Sequence, residues 1–154
     1  MGIIGLHKAL EVTQRKMKED IEREIKLRNK LEEGILNLIS DVKINGHKEK
    51  RLPATLNVSF RYVEGEAVLL KMDMKGIAAS TGSACSTGSL EPSHVLLALG
   101  LSHEMAHGSI RFSFSRFNKE DDVEYVLKVL PDIIKDLRSM SPLYCKEKIG
   151  TRNN

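Results

Sequence analysis

The feature that most constrains the fold is a long amphipathic segment near the start of the chain, over residues 6–39. Its apolar side chains recur at spacings of three, four or seven residues, which is typical of one helical face: Leu10, Met17, Ile21, Leu31, Ile35 and Leu38. Acid-to-base pairs four residues apart support the exposed face: Glu11–Arg15, Glu19–Arg23, Glu22–Lys26 and Glu24–Arg28. We therefore predict one long helix, or two in series, with an apolar stripe and a solvated charged face.

After residue 41 the pattern changes to short segments that favour strands. "DVKING" predicts a strand that ends at Gly46, "TLNVSFRYV" alternates as a half-buried strand does, and "IAAS" predicts a third short strand. "GSIRFSFSRF" alternates again, and this places Ile110, Phe112 and Phe114 on one face and Arg111, Ser113 and Ser115 on the other.

Helical segments separate these strands. We predict helices over 64–75, over 89–99 with Ser89 as its cap and Pro92 in its first turn, and over 118–140 with an acidic first turn and a kink at Pro131. "LSHEMAHGS" is predicted to be a connection. The expected fold class is therefore α/β, an α+β sandwich in which helices cover a small antiparallel or mixed sheet of three or four strands.

The composition of the chain argues against several classes of function. The chain has 154 residues, 41% of them hydrophobic and 29% charged, which suits one domain or one lobe of a larger protein. The net charge of +3 is spread along the chain, so no concentrated basic stripe for nucleic acid is expected. No apolar run has the length of a membrane span, and the amino terminus does not resemble a signal peptide. We expect a cytoplasmic protein whose two cysteines, Cys85 and Cys145, stay reduced.

Cys85 lies within a loop of small and polar residues, "STGSACSTGS". This setting offers a cysteine neither apolar neighbours nor a disulfide partner. A helix that begins just after the loop would favour the thiolate, which is the nucleophilic form. Gly82 and Gly88 would give the loop freedom to swing. The loop predicts a thiol that is used chemically, and a plain exposed cysteine is the alternative.

Arg111 lies on the polar face of an otherwise apolar strand. A guanidinium held on a strand can bind a carboxylate through two parallel hydrogen bonds. A structural ion pair with a helix acid accounts for the position equally well.

The histidines offer an alternative site. His103 and His107 are four residues apart, and with His94 or Cys85 they could imitate a zinc site. Closely spaced Cys-x-x-Cys pairs are absent from the sequence, so no metal site is predicted.

Two segments, "STGSACSTGSLEPSHVLLALGL" and "AHGSIRFSFSRF", resemble the carboxy-terminal part of the NifS/IscS-like cysteine desulfurases, which are homodimeric pyridoxal phosphate enzymes of fold type I. "RNKLEEGI", "LPATLNVSFRYVEGEAVLLKMD" and "SPLY" match further family segments. The resemblance implies that sulfur leaves L-cysteine, that L-alanine remains, and that Cys85 holds the sulfur as a persulfide. It also implies that Arg111 binds the substrate carboxylate. His107 agrees with the family pattern without an assigned role.

The resemblance covers only the last part of such an enzyme, because no counterpart of the cofactor lysine is found. "NGHK" contains a Gly-His-Lys tripeptide, but Lys48 is predicted to be a solvated turn residue. We expect residues 1–40 to lead to an absent large pyridoxal phosphate domain, residues 41–145 to form a small domain with a mobile cysteine loop over 80–89, and residues 146–154 to form a flexible tail. The chain alone is expected to bind no cofactor and to be inactive.

The resemblance also implies partners. They are L-cysteine, the large domain of the same enzyme, an acceptor such as an iron–sulfur scaffold or a tRNA-thiolation protein, and a second copy at full length, with no nucleic acid or membrane. Two alternatives stay open: a non-catalytic sulfur carrier or interaction module from a split or truncated gene, and a zinc-binding or redox-sensing thiol domain. Cys145 is predicted to be a bystander, and Met1 is either a natural start or an artificial boundary.

Overall fold

The structure is a computed structural model that describes residues 1–81 and 92–144. Its elements are, in chain order, α1 (Gly2–Leu38), β1 (Val42–Asn45), β2 (Thr55–Phe60), α2 (Gly65–Asp73), α3 (His94–Ala98), α4 (His103–His107), β3 (Ser109–Ser113) and α5 (Glu120–Met140). The strands form one antiparallel sheet in the order β1-β2-β3. The predicted α/β class, with a small sheet and a long amino-terminal helix, is confirmed.

The sheet has one apolar and one polar face. Ile44 pairs with Val58, and Val58 pairs with Ile110, so these three side chains share a face. That face contributes to the hydrophobic core, which is completed by side chains of α1, α2 and α5: Leu27, Leu31, Ile35, Val68, Met72, Val123, Leu130, Ile133 and Ile134. The opposite face carries polar side chains, and the candidate site lies there.

The apolar stripe of α1 is covered only in the second half of the helix. Leu31 and Ile35 are buried, whereas Leu10 and Met17 are 56% and 51% exposed, and Leu38 is exposed as well. The predicted long helix is confirmed as one continuous helix, and only part of its apolar stripe is buried. At a rise of about 1.5 Å per residue, a helix of 37 residues is longer than the small core beside it. Its first half consequently extends past that core.

The predicted ion pairs four residues apart on α1 do not form within the described ranges. Lys26 pairs with Glu120 of α5, and Arg28 donates to the backbone carbonyls of Leu52 and Pro53 at 3.2 and 3.3 Å. The basic side chains find partners on neighbouring segments, which a pattern along one helix cannot reveal. These contacts hold α5 and the segment before β2 against α1.

Three further segments differ from the predictions. "IAAS" forms no strand, and only its last residue, Ser80, makes an isolated bridge with Arg111. Helix α3 begins at His94, so Pro92 precedes it, while the predicted cap Ser89 lies outside the described residues. The predicted connection contains the short helix α4, whose N-cap Ser102 accepts a hydrogen bond from the backbone N–H of Met105 at 3.3 Å through its hydroxyl.

Helix α5 begins with the predicted acidic turn and continues through Pro131. The Asp122 carboxylate accepts hydrogen bonds from the backbone N–H of Lys119 at 3.0 Å and from the side-chain amide of Asn118 at 3.2 Å. Both bonds favour the charged form and lower the pKa of Asp122. None of the helices in the described ranges combines the length and the apolar character needed to cross a membrane.

Arg138 ties the carboxy-terminal part of α5 to two loops. It is 4% exposed. Its Nε donates to the carbonyl oxygen of Arg61 at 3.0 Å, and its Nη2 donates to those of Ser40 and Asp41 at 2.8 and 3.1 Å. Burial lowers the pKa of this guanidinium. One side chain thus joins α5 to the segment after α1 and to the turn after β2.

Replacing Arg138 by methionine is expected to reduce the free energy of unfolding by about 2–4 kcal/mol, because three backbone carbonyls lose a charged donor. Urea unfolding of the chain measures this loss. Lys135→Met is the matched control, since Lys135 is exposed on the same helix and its change should stay within about 0.5 kcal/mol. Equal stabilities of the two variants would contradict the anchoring role.

Candidate functional site

Arg111 is the central residue of β3 and lies on the polar face of the sheet. Its strand neighbours Ile110 and Phe112 are 0% and 5% exposed, while Arg111 itself is exposed. Side chains alternate between the two faces of a strand, so burial of these neighbours in the core directs the guanidinium to the opposite face. The predicted face of Arg111 is confirmed.

The backbone of Arg111 is fixed against the segment that leads to Cys85. The N–H of Arg111 donates to the carbonyl of Ser80 at 2.6 Å, and the N–H of Ser80 donates to the carbonyl of Arg111 at 3.1 Å. Cys85 lies outside the described residues, five positions after Ser80 in the sequence. Five residues span at most about 18 Å. The chain therefore tethers the candidate nucleophile within that distance of the strand position beside Arg111.

Two asparagines share the polar face with Arg111. Asn45 pairs with Asn57 across β1 and β2, and Asn57 pairs with Arg111 across β2 and β3. The Nδ2 group of Asn45 donates to Asn57 Oδ1 at 2.6 Å and to Ser59 Oγ at 2.8 Å. We define these residues together with Ser80, namely Asn45, Asn57, Arg111 and Ser80, as the polar row. The sequence analysis missed the asparagines, although each occupies a polar position in an alternating strand.

No carboxylate neutralises Arg111 in the part of the chain that the structure describes: none of its Asp or Glu side chains forms an ion pair with this guanidinium. The structural ion pair that the sequence left open is therefore not observed within these ranges. A guanidinium without a carboxylate partner on a rigid strand is suited to bind an external anion.

The residues around the start of α2 and the start of β3, near Arg111, are closely packed. A Cβ atom at Gly65 would lie 2.7 Å from the carbonyl oxygen of His107 and 3.0 Å from Cγ2 of Thr81, so only glycine lets α2 begin this close to both. Ser109, which is 1% exposed, donates its hydroxyl to the carbonyl of Ala106 at 2.8 Å. The Ser109 hydroxyl thus holds α4 against the strand of Arg111, and Gly65 lets α2 begin close to Thr81, the last described residue before Cys85.

The histidines that the sequence offered as metal ligands do not form a metal site in the described residues, and Lys48 is not part of the polar row. His94 and His103 are exposed and His107 is half-buried. Within residues 1–81 and 92–144 no group of three or more His, Cys, Asp or Glu side chains could hold a metal ion. Lys48 is exposed, next to His47, whose Nδ1 accepts hydrogen bonds from the backbone N–H groups of two following residues, Glu49 and Lys50. The prediction of Lys48 as a solvated turn residue is confirmed.

A cluster of ionised groups joins α1 to α5, the helices that pack on the apolar side of the sheet. Hydrogen bonds to Glu124 and Glu120 raise the pKa of Lys30. Hydrogen bonds from Lys26 and Lys30 lower the pKa of Glu120. These exposed groups stabilise the helix pair and do not belong to the polar row.

Comparisons with known proteins identify relatives over most of the chain. Residues 1–126 match the family described as "Aminotransferase class-V". The chain is 53% identical over 145 residues to "Cysteine desulfurase IscS" of Clostridium botulinum strain Hall, which covers 93% of this chain and 36% of that protein. It is 50% identical over 143 residues to "Cysteine desulfurase IscS 1" of Archaeoglobus fulgidus, and this match covers 93% of this chain and 37% of that protein.

Among solved structures, a "NIFS-LIKE PROTEIN" superposes with a TM-score of 0.75 at 34% identity, covering 87% of this chain and 33% of that one. A NifS-like protein from Rickettsia africae superposes with a TM-score of 0.69 at 27% identity, and the match covers 80% of this chain and 31% of that chain. The chain thus spans about a third of the length of these relatives.

Proposed function

This chain belongs to the aminotransferase class-V family, and on that premise we propose that it supplies the carboxy-terminal, small-domain part of a cysteine desulfurase. The enzyme would convert L-cysteine to L-alanine and hold the released sulfur for iron–sulfur cluster assembly or another thiolation. The observation that carries the proposal is the position of Arg111, which is fixed beside the segment leading to Cys85 and has no carboxylate partner among the described residues. Relatives with about 50% identity named cysteine desulfurase support it.

In this proposal Arg111 binds the carboxylate of L-cysteine. Its guanidinium offers paired N–H donors in a fixed fork, which matches the two oxygens of a carboxylate. Because the backbone of Arg111 is bonded to Ser80, the bound substrate would lie near the tether of Cys85. Binding and sulfur acceptance would thus share one edge of the sheet.

Cys85 is proposed to accept the sulfur. Its thiolate attacks the sulfur atom of the substrate, a new sulfur–sulfur bond forms, and the carbon–sulfur bond breaks. The cofactor of the full-length enzyme would supply the electron sink that this bond cleavage needs. The substrate carbon gains one proton, which balances the proton that the Cys85 thiol loses, so that alanine and a Cys85 persulfide result.

The described residues do not fit pyridoxal phosphate as a resident group. Lys48 is the lysine whose tripeptide resembles a cofactor site, and it is solvent-exposed on a turn. We therefore place the cofactor, which the family relationship implies for the full-length enzyme, in the part of the enzyme that this chain does not cover. The chain alone should be inactive for this reason.

The exposed start of α1 supports the proposed domain organisation. Four apolar side chains here are at least 51% exposed, namely Ile3, Leu6, Leu10 and Met17. The match also spans only 36% of the Clostridium botulinum relative. We propose that residues 1–40 connect to the cofactor-holding domain, that residues 41–145 are the small domain with its cysteine loop over 80–89, and that residues 146–154 are a tail. We also propose that the full-length enzyme is a homodimer in the cytoplasm. It would pass its sulfur to an acceptor such as an iron–sulfur scaffold.

Reconstitution tests this function. The chain is combined with a cofactor-holding domain, pyridoxal phosphate and L-cysteine, and alanine is measured against the chain alone and the domain alone. We expect alanine from the combination only. A combination that binds the cofactor and still forms no alanine would contradict the desulfurase assignment and leave the carrier alternative, while alanine from the chain alone would contradict the placement of the cofactor.

A further inference from the structure

The polar row contains a second side chain placed to bind the same anion as Arg111. Arg111 exchanges both of its backbone hydrogen bonds with Ser80, so its N–H and C=O point away from β2. Arg111 and Asn57, which are direct partners across β2 and β3, therefore form a non-hydrogen-bonded pair. In such pairs the Cα atoms are about 4.5 Å apart and the side chains are closest. Asn57 is consequently the near cross-strand neighbour of the guanidinium.

The amide of Asn57 has a defined orientation. Its Oδ1 accepts from Asn45 Nδ2 at 2.6 Å, which leaves the Nδ2 group of Asn57 as the donor end of the amide. Buried residues fix this orientation. Asn45, which is 8% exposed, also donates to Ser59, which is 0% exposed. In the described ranges no acceptor binds the Nδ2 group of Asn57.

Arg111 and Asn57 are therefore two donor side chains whose free N–H groups no acceptor of the described residues binds. A guanidinium and an amide NH2 group stand side by side, and no carboxylate from the described residues lies between them. Asn45 Oδ1, which is an acceptor and takes no part in binding an anion, is buried without a hydrogen-bond partner among the described residues. An anion with two oxygens would accept from both Arg111 and Asn57.

We propose that Asn57 is a substrate-binding residue whose Nδ2 group donates to the carboxylate held by Arg111, and that Asn45 is the positioning residue that keeps the amide in this orientation. This inference rests on the proposed function, since it concerns the carboxylate of the same amino-acid substrate. It extends the site from one side chain on β3 to a row across the three strands.

The test uses the chain reconstituted with its cofactor-holding domain, with alanine formation as the assay. Asn57→Ala is expected to raise KM for L-cysteine about tenfold with kcat within about twofold, because a hydrogen bond to a charged group is lost from binding. Asn57→Thr also lacks the NH2 group but favours a strand, so it gives the same readout if the alanine variant folds poorly. Thr55→Ala, at a half-buried position on the same face of β2, is the matched control with unchanged KM.

Two competitive inhibitors show whether the contact is to the carboxylate. L-Alanine carries the carboxylate and cysteamine does not. Asn57→Ala should weaken inhibition by L-alanine about tenfold and leave inhibition by cysteamine unchanged, and Asn45→Ala should shift the same inhibitor in the same direction by a smaller factor.

Equal effects on both inhibitors, or an unchanged KM in both Asn57 variants of an active assembly, would overturn the role of Asn57 and leave the desulfurase function standing. Absence of alanine formation in the unsubstituted assembly would instead count against the function itself.

Discussion

Replacing Cys85 by serine is expected to abolish sulfur transfer by the reconstituted enzyme. A serine hydroxyl is not ionised near neutral pH and cannot form a persulfide, whereas an ordinary cysteine thiol has a pKa near 8.5 and supplies a thiolate nucleophile. Sulfide release in the presence of a reductant measures the effect. We expect a fall to the level of the cofactor-holding domain alone, with the absorbance of the bound cofactor unchanged.

Cys145→Ser is the matched control for this result. Cys145 is the second of the two cysteines of the chain and lies 60 positions from Cys85. If Cys85 is the sulfur acceptor, the Cys145 variant should keep the activity of the unsubstituted chain. Full sulfide release by the Cys85 variant would be incompatible with the proposed mechanism.

Replacing Arg111 by alanine is expected to raise KM for L-cysteine by at least about 30-fold. Arg111 is exposed in this chain, and bound substrate in the full-length enzyme would bury it. Truncating one partner of a buried, hydrogen-bonded charge pair costs about 2–5 kcal/mol, and the lower end of that range corresponds to about 30-fold. Initial rates of alanine formation over a range of cysteine concentrations measure KM and kcat separately. Arg111→Lys should recover only part of the affinity, because an ammonium group lacks the planar fork of the guanidinium.

Lys43→Ala serves as the control for a general electrostatic effect. Lys43 is exposed, and it pairs with Ser59 on the same polar face, so this variant removes one positive charge without removing the fork. Its KM should stay within about twofold of the unsubstituted value. Equal KM values for the Arg111 and Lys43 variants would mean that Arg111 attracts the substrate only as one charge among several.

The local pattern of the sequence was sufficient to predict which face Arg111 occupies. Side chains of a strand alternate with a period of two, so the apolar residues Ile110 and Phe112 determine the face of the residue between them. The helical stripe of α1 was also read correctly, but its pattern does not show that Leu10 and Met17 are exposed, because the length of α1 exceeds the core that the remaining elements provide. A periodic stripe indicates which side chains share a face, but it does not indicate whether another element covers them.

The asparagines of the polar row could not be predicted as part of the site. Asn45, Asn57 and Arg111 are separated by 12 and 54 positions in the chain, and they meet only through the register of two strand pairs. Register depends on tertiary packing, which no local pattern contains. The predicted ion pairs within α1 were wrong for a similar reason, because Lys26 pairs with Glu120 of α5 instead.

The central claim is that Cys85 carries the sulfur of L-cysteine, and peptide mass spectrometry tests it most directly. The reconstituted enzyme is incubated with L-cysteine that contains isotopically labelled sulfur, quenched without reductant and digested. We predict that the peptide containing Cys85 gains the mass of one labelled sulfur atom and loses it after treatment with a thiol reductant. Alanine formation with no label on that peptide would contradict the account.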